Sequence, residues 1–164
     1  MCFLSIPNEQ MQAIRRHAEK DYPEECCGFI LSSNTETNEF LEVIACRNAQ
    51  NDFHKLDPVE FPRTAENAYF IDPADLLKTE RKTSKTGQTI RAIYHSHIDC
   101  DAYFSDEDIH RALVDGSPAY PETVHLVLSV VKGTVKHGKQ FLWDAEKSSF
   151  REVFADLENN NEPR

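Results

Sequence analysis

The chain has 164 residues and a mass of 18.8 kDa, with 40% hydrophobic and 28% charged residues, which favours one globular domain able to enclose a real core. Its 28 Asp and Glu against 18 Lys and Arg give a formal net charge of -10 and an isoelectric point near 5.1. That balance argues against a nucleic-acid binder, which neutralises phosphates with clustered Lys and Arg, and against docking on an anionic membrane.

Taken in chain order, the first element is a helix opening at Pro7, which suits a first turn. Met11, Ile14, Ala18 and Tyr22 recur at spacings of three and four, and Glu9, Arg15, Arg16 and Glu19 fall elsewhere on the wheel. Pro23 ends it. Residues 26–31 read as a buried strand, and residues 40–46 as its hairpin partner across a polar turn at 34–38. Residues 50–67 contain Pro58 and Pro62 and little periodicity, so they are expected to form a long loop of functional interest. Asp72 and Pro73 can cap and open a second helix that Gly87 stops. Residues 89–97 look like a central strand, and Ser105 starts a third helix ending near Gly116. Residues 124–131 and 136–143 read as two strands joined through Lys132 and Gly133, and residues 150–157 as a last helix. Helices that interleave with strands imply an α/β domain around one mixed sheet.

The five cysteines (Cys2, Cys26, Cys27, Cys46 and Cys100) form an odd set with two adjacent members, which is no disulfide framework. Cys26, Cys27 and Cys46 are expected to pack as small hydrophobes, and Cys100 to be exposed. Residues 1–6 carry no basic region of a signal peptide, and no run approaches the ~18 apolar residues of a membrane span. A cytoplasmic location is the resulting expectation.

The chemically informative segment is Tyr94-His95-Ser96-His97, followed by Ser105-Asp106-Glu107-Asp108. Side chains on a strand alternate faces, so His95 and His97 point the same way, about 7 Å apart along the backbone, and can share a metal ion. Asp108, folded back in the first turn of the next helix, is the nearest candidate for a third ligand. Two His and one carboxylate leave a position open for water, as in a catalytic zinc site. Each piece also has a plainer reading. A lone His-x-His is often packing, and Ser105-x-x-Asp108 fits a helix-capping pattern. The joint spacing weighs against coincidence, since chance placement of all four residues is on the order of one in a thousand. His17, His54, His110, His125 and His137 have no ligand-like partners and are assigned structural or surface roles. Asp99, Asp101, Asp106 and Glu107 are read as a solvated rim.

The pattern His-x-His-x7-Ser-x2-Asp resembles the JAMM motif of the MPN metallopeptidase family. A second segment, Pro23-Glu24-Glu25-Cys26-Cys27-Gly28, resembles that family's upstream motif and places Glu25 at its glutamate. Phe70-Ile71-Asp72-Pro73 and Arg91-Ala92-Ile93-Tyr94 look similar too, so the resemblance covers most of residues 5–145. It implies a single MPN-like domain over residues 1–157, a curved mixed sheet flanked by helices and related to the cytidine deaminase fold, with a polar tail at 158–164. It also implies one catalytic zinc held by His95, His97 and Asp108, with Glu25 and Ser105 as catalytic groups. By length the chain looks like the stand-alone bacterial type, whose relatives process ubiquitin-like sulfur-carrier proteins at their C-terminal ends. Ile98, Phe104 and Ser32 stand where many relatives have Pro, Pro and a nearby Gly, which touches the substrate loop rather than the ligands.

The expected reaction is metal-assisted hydrolysis of a peptide or isopeptide bond. Water activated by the zinc would give its proton to Glu25, which passes it to the leaving amine, and Ser105 would donate to the developing oxyanion. Glu24 falls on the opposite face from Glu25 by strand alternation. A non-catalytic interaction scaffold of the same fold is the alternative, distinguished by loss of ligands that this chain retains. A zinc deaminase would need His-x-Glu and Pro-Cys-x-x-Cys, which do not occur.

Overall fold

The structure is a computed structural model that describes residues 3–35 and 38–155. Helix α1 runs Asn8–Asp21 behind Pro7 and buries Met11, Ile14 and Ala18, the stripe read from the sequence. Strands β1, Cys27–Thr35, and β2, Asn38–Cys46, pair antiparallel with Cys27 opposite Cys46. The tip of their turn falls at residues 36–37, outside the described residues, as do the expected domain boundary at 157 and the tail at 158–164.

The 50–67 loop is corrected in its first third, where helix α2 spans Gln50–Leu56. Seven residues are too few for a helical period to stand out, and tertiary contacts supply the reason. Phe53 packs on Phe61 and Phe70, with ring centroids 5.1 and 4.4 Å away. Helix α3, Pro73–Thr86, starts and stops as its sequence dictates: Asp72 accepts from the Ala74 amide at 2.8 Å, and Gly87 takes φ 74°.

Strand β3, Thr89–Ile98, is central, and helix α4, Asp106–Ala112, follows it. This helix ends earlier than expected because strands β4, Leu113–Val114, and β5, Ser117–Pro118, form a small hairpin. Asp115 and Gly116 both take positive φ at its turn, the geometry that twists two-residue hairpins correctly. Strands β6, Val124–Val131, and β7, Thr134–Asp144, are joined through Lys132 and Gly133 as expected.

The expected last helix is overturned: Ser149–Ala155 is strand β8, paired antiparallel with β7. Phe150 and Val153, three apart, would share one face of a helix. In the strand they take opposite faces, and each finds its own core. Phe150 joins the aromatic rings on the site face, and Val153 packs on the cluster beneath α1. The open edge of β7 offers a backbone ladder that overrides local spacing.

The six strands run in the order β2-β1-β3-β6-β7-β8, with β3 and β6 parallel and every other pair antiparallel. The mixed sheet flanked by helices is the predicted fold class. One face carries Ile30, Ala92, Tyr94, Leu126 and Leu128 under α1. The other carries Phe29, Ile93, Val127 and Phe141 under the 69–76 segment and the loop before α4. The candidate site lies on this second face, at the carboxyl ends of the two parallel strands. No helix among the described residues is long and apolar enough to cross a membrane.

Candidate metal centre

Strand β3 delivers His95 and His97 to the same face, as alternation requires, and α4 brings Asp108 across to meet them. His95 is 0% exposed, and His97 and Asp108 are each 4% exposed. The Nε2 atoms of the two histidines are 3.2 Å apart, and Asp108 Oδ2 lies 3.3 Å from His95 Nε2 and 3.2 Å from His97 Nε2. Three donor atoms therefore form a near-equilateral triangle. A tetrahedral zinc with bonds of about 2.0–2.1 Å spaces its ligands by about 3.3 Å, so the donor set fits such an ion without rearrangement. Among the described residues this is the group of His, Cys, Asp or Glu able to hold a metal ion.

The local structure explains why the ligands converge. Ser105 Oγ accepts from the Asp108 amide at 3.1 Å, while Asp108 Oδ2 accepts from the Ser105 amide at 2.9 Å. The capping box anticipated from Ser105-x-x-Asp108 is present, and it aims the carboxylate at the histidines. His97 Nδ1 lies 3.1 Å from the Asp101 carbonyl, which must accept a proton from it, so Nε2 keeps its lone pair for a metal. Asp101 is itself tied by its own carboxylate to His137 and Lys139. Tyr69 stacks on His95 at 4.3 Å and 23°, and Tyr103 meets His97 edge-on at 4.7 Å.

Burial pushes the Asp108 carboxyl up, but the imidazoles of His95 and His97 outweigh it and hold the group well below the carboxylate range. Burial lowers His95, against the pull of Asp108. An ionised carboxylate beside a neutral imidazole is the protonation state that metal ligands need.

Glu25 lies just before β1. Cys27 is opposite His95, and continuing that antiparallel register sets Glu25 beside His97 on the face that holds the triad. It is 4% exposed, and its Oε2 has no hydrogen-bond partner among the described residues. Burial, then the charge of Asp108, raises its carboxyl well above the ordinary value, against Arg63. Glu24 is exposed and accepts from Asn51 Nδ2 at 3.0 Å.

Other expectations divide. Cys26, Cys27 and Cys46 are buried and free, and Cys100 is exposed. His17 pairs with Tyr94 and Asp21, His54 with the Phe61 carbonyl, and His137 with Asp101, so none joins the triad. His125 is buried on the site face opposite Ile93, two residues before the partner of His95. Asp99, Asp101 and Asp106 are exposed, as expected of a solvated rim, and parts of the rim are also paired. Asp99 accepts from Tyr22 and the Lys132 amide, both at 2.8 Å, and Glu107 pairs with Arg111. Phe104, where many relatives have Pro, packs on Phe141 and Phe150 at 5.4 and 4.9 Å. Sequence reading missed Tyr69, Tyr103 and Asn48, whose roles depend on contacts between distant segments.

An α/β domain with a buried His-His-Asp group at the carboxyl ends of its parallel strands is the class defined so far. The family model described as prokaryotic homologs of the JAB domain matches residues 7–145, and the chain belongs to that family. The solved structure of a Desulfitobacterium hafniense protein is similar over 96% of this chain and 97% of its own, with a TM-score of 0.62 and 21% identity. A Salinibacter ruber protein is similar over 98% and 95%, with a TM-score of 0.61 and 20% identity. At those identities the likeness concerns the fold. No curated protein matches the chain.

Proposed function

We propose that this chain is a zinc-dependent hydrolase of peptide or isopeptide bonds, acting at the C-terminal end of a ubiquitin-like or sulfur-carrier protein. The observation that carries the reading is the pairing of a metal-shaped donor triangle with a buried carboxyl on the same sheet face, whose Oε2 has no partner among the described residues. His95, His97 and Asp108 would hold the ion. When bound, zinc supplies a Lewis acid for the carbonyl and lowers the pKa of water to about 7.

The chain's own groups do the rest. Glu25 takes the proton of the attacking water and returns it to the leaving nitrogen, a task suited to a carboxyl that burial and the charge of Asp108 make more basic than an ordinary one. Ser105 Oγ spends a lone pair on the Asp108 amide, which leaves its hydroxyl proton free to donate to the carbonyl oxygen as charge develops. Such a donor contributes about 3 kcal/mol to the transition state. The tail as substrate follows from the resemblance of the motifs to those of the carrier-processing relatives.

The test incubates zinc-loaded protein with ubiquitin-like sulfur carriers bearing short C-terminal extensions and measures the product masses. Loss of the extension is expected with the native chain. Glu25→Gln should retain zinc and lose at least a hundredfold in rate. Intact substrates with a fully loaded protein would favour the interaction scaffold instead.

A further inference from the structure

No described residue hydrogen-bonds Glu25 Oε2, so the carboxyl is placed by its backbone. The Glu25 amide donates to the Ala65 carbonyl at 2.7 Å, and the Glu25 carbonyl accepts from Asn48 Nδ2 at 2.9 Å. Asn48 does more than this. Nδ2 also donates to the Ala68 carbonyl at 3.1 Å, and Oδ1 accepts from the amides of Gln50 and Phe70, both at 3.0 Å. All four hydrogen-bonding positions of one carboxamide are used. The assignment of its oxygen and nitrogen is unambiguous, because the reverse would set N–H groups against N–H groups at Gln50 and Phe70.

These bonds join segments far apart in sequence. The backbone on either side of Asn48 pairs with the strand-like segment at 70–72: Ala49 N donates to Phe70 O at 2.7 Å, and Asp72 N to Arg47 O at 3.0 Å. Gln50 and Asn51 then hold residues 63–65 through the Arg63 carbonyl at 2.9 Å and the Ala65 amide at 2.8 Å. The result is a strap over residues 63–70 that holds the Glu25 amide through Ala65 and carries Tyr69 onto His95, while Asn48 holds the Glu25 carbonyl on the other side of its Cα.

We propose that Asn48 is the positioning residue for Glu25, its carboxamide locking the Glu25 peptide to the strap and thereby setting where the carboxyl stands relative to the triad. The catalytic consequence rests on the hydrolase reading; the clamp does not. Asn48 touches none of the three proposed ligands, so it acts on the proton carrier and leaves the metal in place.

The experiment uses Asn48→Asp in the full chain. It preserves the shape and both acceptors, removes both donors, and sets an oxygen against the Glu25 carbonyl. Asn48→Ser is the second variant should the first fail to fold. Gln140→Met is the control for general destabilisation, since Gln140 makes a comparable pair of bonds to Leu4, at 2.7 and 2.8 Å, on the opposite face of the sheet. Two readouts are independent. Amide exchange at Glu25 should quicken at least tenfold in Asn48→Asp and stay unchanged in Gln140→Met; unchanged exchange in Asn48→Asp overturns the clamp whether or not the protein is a hydrolase. On cleaved substrate, kcat should fall ten- to a hundredfold with KM and zinc stoichiometry unchanged, and adding Glu25→Gln should bring no further loss beyond that single variant. Multiplying losses, or a fall in kcat that tracks lost zinc, overturns the positioning role. Absence of cleavage by the native chain, with exchange at Glu25 altered as expected, refutes the hydrolase reading and leaves the clamp standing.

Discussion

Replacing His125 with Phe should stabilise the metal-free protein by an amount that grows as the pH falls. His125 is 4% exposed, its Nδ1 has no partner among the described residues, and its ring sits 4.9 Å from Phe104 and 5.3 Å from Phe150. Burial, then the neighbouring His95, pushes its pKa down from 6.5 to about 3, against Asp108. A base with a depressed folded pKa stays neutral in the native state while the unfolded chain takes up a proton below pH 6.5. Stability is therefore retained above that pH and lost progressively down to the folded pKa. At ~1.4 kcal/mol per pH unit, the contribution lost between pH 7.5 and 5 is about 2 kcal/mol. For a chain of this size that corresponds to about 4–8 °C in Tm. Phe keeps an aromatic ring among aromatic rings and removes the orphaned nitrogen. Thermal melts of the EDTA-treated native and His125→Phe proteins at the two pH values give the comparison. The stability gap should widen by about 2 kcal/mol at pH 5. Parallel stability curves would show that the folded imidazole takes up its proton freely, and the reasoning from burial would fail.

Asp108→Ala should drop the zinc content of dialysed protein from near one equivalent to near zero while the far-ultraviolet spectrum persists. The lost capping box costs about 1 kcal/mol of stability, and full zinc retention would remove Asp108 from the ligand set. Gly28→Ala should destabilise by several kcal/mol in urea unfolding, because its Cβ would overlap the Ile44 carbonyl and lie 2.5 Å from the Tyr94 hydroxyl. A loss under 1 kcal/mol would mean that both the β2 backbone at Ile44 and the Tyr94 ring give way to the added methyl group. Maleimide labelling of native protein, mapped by mass, should modify Cys100 before Cys26, Cys27 or Cys46, since burial pushes the Cys26 and Cys46 thiols up to about 12 and Cys100 is exposed. Equal labelling of all four would contradict the packed core.

Much of the candidate site was legible because its signals are local. A strand's alternation puts His95 and His97 together whatever surrounds them. A capping box aims Asp108 by bonds within four residues, and Asp72, Pro73 and Gly87 bound α3 through their own dihedral preferences. Where local spacing had two solutions, long-range partners chose. Phe150 and Val153 suit a helix or a strand, and the free edge of β7 with cores on both faces selected the strand. Residues 50–56 show too short a period to read, and the Phe53 cluster made them a helix. The same holds within the site. The candidate ligands His95, His97 and Asp108 follow from residue type and spacing along the chain, and Glu25 from the resemblance of its segment to the family's upstream motif. The placement of Glu25 by Asn48 and of His95 by Tyr69 does not, because each joins segments 20 or more residues apart through hydrogen bonds and ring contacts that exist only once the sheet has assembled.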